Sequence, residues 1–68
     1  MLIQVTHVSI PAGSTIGFGE GIDEEGRVVK FVGDHRPMYH VGLAIGGSEG
    51  PVDVEIEDWQ VQSIEESV

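Results

Sequence analysis

A period-two pattern runs through most of the chain, which reads as organised around residues 27–45. Val29 and Phe31 alternate with Val28, Lys30 and Val32; further on, Tyr39, Val41, Leu43 and Ile45 alternate with His40, Gly42 and Ala44. The turn-rich segment Gly33-Asp34-His35-Arg36-Pro37 separates the two arms. The pattern predicts two strands joined by a short connection.

Residues 2–10 predict the first strand. Ile3 and Val5 share one face and Val8 and Ile10 the other, so a β-bulge at Thr6-His7 is expected to bring both pairs to one side. After a turn at Pro11-Ala12-Gly13-Ser14, residues 15–22 set Ile16, Phe18, Glu20 and Ile22 on one face and Gly17, Gly19 and Gly21 on the other. A nearly bare face costs strand stability. These glycines therefore predict a sharp bend or the close approach of another strand, a large side chain or a ligand. Asp23-Glu24-Glu25-Gly26 is expected to close a hairpin onto the third strand, with Gly26 in a left-handed conformation. Residues 46–51 read as a loop. The last strand begins at Val52, where Val52, Val54 and Ile56 alternate with Asp53, Glu55 and Glu57. Trp59 and Val61 fall out of phase, which predicts a second bulge at Glu57-Asp58.

Five strands, short connections and two bulges predict an all-β fold: a small, strongly bent antiparallel sheet or barrel without substantial helix. Residues 1–68 form one domain, with 65–68 a frayed tail. Valine and isoleucine far outnumber leucine and alanine, and ten glycines punctuate the chain, a composition that opposes helix. In strand number and spacing the architecture resembles the SH3-like and OB-like small barrels. The OB type carries a helix between its third and fourth strands, for which the connection 33–37 leaves no room. The resemblance therefore points to the SH3-like version, or to an open sheet that pairs with a second copy.

Charge and size narrow the function classes. Twelve acidic against three basic side chains give a net charge of −9, which repels phosphate backbones and anionic lipids; no nucleic acid and no membrane partner is expected. Cysteine is absent, excluding disulfides and thiolate metal sites and favouring a cytoplasmic location. Residues 1–10 lack the pattern of a signal peptide or a membrane span. A core this small predicts a homo-oligomer, formed through an exposed strand edge or the glycine face.

Gly46-Gly47-Ser48-Glu49-Gly50 matches the nucleophile-elbow string, but the strand pattern after Pro51 denies it the helix it needs. Gly17-Phe18-Gly19-Glu20-Gly21 is not a dinucleotide fingerprint, and Glu20 would repel a phosphate. Asp34, His35, Arg36, Tyr39 and His40 gather acid, imidazole, guanidinium and phenol in one region, a candidate ligand site with no specific metal or cofactor assigned. Asp53, Glu55, Glu57 and Asp58 form an acidic row with spacings of about 7 Å along a strand face, and Trp59 beside it is a residue type enriched at interface hot spots. The expected function is a non-enzymatic acidic interaction module that self-associates and docks a basic protein partner through Asp53, Glu55, Glu57, Asp58 and Trp59. The alternatives are a ligand or metal binder using the His35–His40 region, and an oligonucleotide-binding barrel.

Overall fold

The computed structural model describes residues 1–47 and 50–66. Ser48 and Glu49, at the tip of the expected loop, and the last two positions of the expected tail lie outside the described residues. The chain forms β1 (Leu2–Ser9), β2 (Ile16–Asp23), β3 (Val28–Asp34), α1 (His35–Gly46), β4 (Val52–Glu55), a 3-10 turn (Asp58–Gln60) and β5 (Val61–Glu65). The five strands make one open sheet in the order β4-β1-β2-β3-β5, with every pairing antiparallel.

The first bulge lies where the parity break places it. The β1–β2 register shifts between Val5 and His7, so Ile3 and Val5 are buried and Val8 and Ile10 pack against the same core. The β2–β3 hairpin is also as expected, with Gly26 at φ 80°, a value that costs glycine little.

The fourth strand is not a strand. Residues 35–46 are helical, against both the period-two reading and the expectation of no substantial helix. Two periods coexist in this segment. Period two selects Tyr39, Val41, Leu43 and Ile45, whereas a helical repeat selects Met38, Val41, Gly42 and Ile45. The sheet decides between them: Met38 is buried and Val41 and Ile45 pack on the core, while Tyr39 and Leu43 are each 57% exposed. Pro37 sits in the first turn, where a missing N–H costs nothing. The Gly47 N–H closes the other end on the Leu43 carbonyl at 3.0 Å. With a helix before Gly46 and a strand after Pro51, the elbow string has its flanking elements in the wrong order.

The expected last strand is two strands on opposite edges of the sheet. The parity break near Asp58 is real, but a 3-10 turn makes it, not a bulge. Six steps of fully extended chain span about 20 Å, and a 3-10 turn shortens that to about 16 Å. Four inter-strand gaps in a flat sheet need about 19 Å, so the sheet must curl for residues 56–60 to reach from β4 to β5. Ile56, buried in that crossing, joins Ile3, Val5, Val29, Phe31 and Met38 as the core.

The glycine face of β2 is the inner face. A Cβ on Gly19 would come within 2.8 Å of the Phe31 ring, and one on Gly17 within 2.9 Å of Met38 Cβ, so large side chains from β3 and α1 occupy the room that the glycines leave. That face is therefore not available for self-association.

Candidate functional site

Residues directly opposite one another in a sheet share a face, and α1 covers only one side. On the uncovered side β2 and β3 set Ile16 opposite Asp34, Phe18 opposite Val32, Glu20 opposite Lys30 and Ile22 opposite Val28. β1 adds Gln4 beside Ile22, His7 beside Glu20 and Ser9 beside Phe18. Leu2, Ile16 and Phe18 are exposed; Ile22, Val28 and Val32 are half-buried. Two apolar bands thus flank one charged row. His7 Nδ1 lies 3.7 Å from Glu20 Oε2, and the Thr6 hydroxyl donates to the Glu20 carbonyl at 3.3 Å while lying 3.0 Å from His7 Nδ1. His7, Ser9, Phe18, Glu20, Lys30 and Gln62 line a shallow depression of about 500 Å³ on this face.

The acidic row is only partly brought together. Asp53 and Glu55 lie on the edge strand β4, opposite Gln4 and Leu2. Glu57 and Asp58 belong to the crossing that follows. The Met1 ammonium donates to Glu55 Oε1 and to the Ile56 carbonyl, both at 2.9 Å. The hydrogen bond to Glu55 raises its pKa against the opposing effect of burial, and the charges of Glu55, Asp58 and Glu57 add to the rise. Of the row, Glu55 alone pairs directly with this cation, and Glu57 and Asp58 act on it only through their charge. Trp59, on the 3-10 turn, is 70% exposed.

The second predicted set divides as well. The His35 backbone N–H and Nδ1 each lie 3.1 Å from the Thr15 carbonyl, pinning the start of α1 to the start of β2. Asp34, His35 and Arg36 line a recess of about 330 Å³ with Thr15 and Pro37. Tyr39 and His40 do not reach it; their rings meet edge-on with centroids 6.1 Å apart. Five positions along a helix turn a side chain by about 140°, so His35 and His40 do not converge on a common ligand. Among the described residues no three His, Asp or Glu side chains are grouped to hold a metal.

Two polar residues with defined work went unnoticed in the sequence. The Asp23 carboxylate accepts from the Glu25 N–H at 2.9 Å, the Arg27 N–H at 2.8 Å and Arg27 Nε at 2.8 Å. Burial alone would raise its pKa, but the hydrogen bonds from Arg27 and Glu25, with the Arg27 charge, hold it below the usual value. The signal was available, since Asp at the head of a tight turn commonly gathers the N–H groups that follow it. Gln60 accepts from the Glu57 N–H at 2.8 Å and donates to the Val32 carbonyl at 2.9 Å, tying the crossing to β3.

Comparison with protein-family models, with curated proteins and with solved structures finds no match. The chemistry of this surface must therefore be read from its own residues.

Proposed function

We propose that the chain is a non-enzymatic interaction module that docks protein surfaces through the uncovered face of its sheet. The observation that carries this reading is the clustering of Leu2, Ile16 and Phe18, all exposed, with half-buried Ile22, Val28 and Val32 on one side of the sheet. Soluble chains keep exposed apolar patches small unless something covers them, and here two apolar bands are separated only by the Glu20–Lys30 row. We read the curled sheet as barrel-like, of the SH3-like or OB-like kind, with the helix between β3 and β4 as its OB-like feature. Oligonucleotide binding does not follow from that feature. Arg27 is committed to Asp23, and Lys30 alone gives the face too little positive charge to displace phosphate counterions. The cysteine content favours the cytoplasm.

Retention of proteins from a native lysate on immobilised wild-type chain and on Phe18→Lys tests this reading. Loss of the retained proteins with the variant supports it; equal retention by both overturns it.

A second reading rests on Trp59, among the described residues the most exposed large apolar side chain, beside Asp58. Acidic residues next to an exposed tryptophan suit a basic peptide. Trp59 is the only tryptophan, so its fluorescence reports contact directly. An emission blue shift on adding oligolysine supports this reading, and an unchanged spectrum removes it.

A further inference from the structure

We propose that the occupant of the uncovered face is a second copy of this chain, seated so that Glu20 of each copy meets Lys30 of the other. The inference rests on the docking-face reading above and names its partner. A two-fold axis lying in the plane of contact, parallel to the strands and between β2 and β3, lays β2 over β3 of the second copy. Every cross-strand row then meets itself with its members exchanged.

The rows suit that exchange. Phe18 is paired with Val32 and Ile22 with Val28, so apolar meets apolar at two rows spaced along the axis. Between them Glu20 is paired with Lys30, so the exchange creates two ion pairs between the copies. Slipping the contact by one row would set Glu20 against an apolar side chain and leave a covered charge unpaired, which disfavours other registers. The flanking strands also agree. β1 falls over β5, and in the shared rows Gln4 faces Glu65 and His7 faces Ser63, each able to hydrogen-bond.

Net charge is the main objection to pairing two copies of a chain at −9, and the topology answers it. On the β2 side of the axis lie β1 and β4, but on the β3 side only β5. No strand of the second copy reaches β4, so Asp53 and Glu55 stay at the solvent rim. The four covered strands are 8, 8, 7 and 5 residues long, a footprint of at most about 19 by 26 Å from strand spacing and rise. The curl of the sheet bends the edges of this face out of contact, so the area buried falls below the lower bound of about 1,000 Å² in total for a stable interface and the contact is a weak one. The dimer is therefore concentration-dependent.

Sedimentation velocity across a hundredfold range of concentration is the test, with circular dichroism melts confirming that each variant folds. Wild type is expected to dimerise with rising concentration. Glu20→Lys alone and Lys30→Glu alone should each weaken the dimer by about tenfold or more, because like charges then meet across the axis. An equimolar mixture of the two should regain the dimer, although each chain still carries its like-charged pair internally. The double variant E20K/K30E should dimerise as wild type does. Wild type that stays monomeric, or a mixture that stays monomeric where wild type dimerises, overturns the proposal. The two failures separate: a monomeric wild type whose retained proteins are lost with Phe18→Lys removes the second copy but keeps the docking face. A dimer indifferent to Phe18→Ser and to both charge reversals removes the second copy, and removes the docking face as well only if wild type and Phe18→Lys retain the same proteins.

Discussion

The ring of Phe31 lies on the bare backbone of Gly19, its neighbour across the β2–β3 ladder. The two positions are one packing unit. Phe31→Ala is expected to cost about 3–5 kcal/mol by opening a cavity, and Gly19→Ala about 1–3 kcal/mol by driving a methyl group into the ring. Urea denaturation of both single variants and of the double variant should show that Gly19→Ala costs far less once the ring is gone. Additive losses would mean that the glycine serves the backbone alone.

Gly42→Ala should stabilise the protein. Gly42 lies inside α1, and a Cβ there would meet Val8 at 3.6 Å, an ordinary contact. Glycine inside a helix costs about 1 kcal/mol relative to alanine. A rise in Tm is expected, and a fall would show that α1 packs more tightly on β1 than this distance allows.

The Asp23 carboxyl is held below its ordinary pKa of 3.8, so its contribution to stability is complete above that value and drains as pH falls through the lower folded value. Asp23→Asn should lower Tm at neutral pH, and its difference from wild type should close below about pH 4. A difference that stays constant through acid would assign the loss to turn geometry instead of charge.

Gln60 spans Glu57 and Val32, so Gln60→Ala should cost about 1–2 kcal/mol in chemical denaturation. Gln60→Glu should cost at least as much. It keeps an acceptor for the Glu57 N–H but points an anion at the Val32 carbonyl.

Strand positions were legible wherever only one periodicity fitted the residues. The bulge near His7 followed from a parity break between Val5 and Val8, and the hairpin from Asp23 through Gly26 followed from turn chemistry. The segment around Tyr39 was illegible by pattern because Val41 and Ile45 satisfy both periods. Boundary signals for a helix stand at both ends of the segment, Asp34 before Pro37 and Gly46-Gly47 after Ile45, but turns between strands carry the same residues. The uncovered face escaped notice for a related reason. Ile16, Phe18 and Ile22 look like a core stripe, yet the core lies on the glycine side, because Phe31 and Met38 supply the bulk that β2 lacks. The split of the acidic row is non-local: no pattern within residues 52–61 reveals that β4 pairs with β1 and β5 with β3.

The crossing of residues 56–60 between opposite sheet edges sets an order of events during synthesis. The meander of β1, β2 and β3 is built from near neighbours in sequence and can close early, whereas β4 pairs Val54 with Ile3 across most of the chain. Until that late segment emerges, the outer edge of β1 keeps an unpaired ladder of N–H and C=O groups next to Ile3 and Val5. A slow final step is the expected result, since long loops must close before their contacts repay them. The half-built edge is also the stage most open to strand pairing with a neighbouring nascent chain.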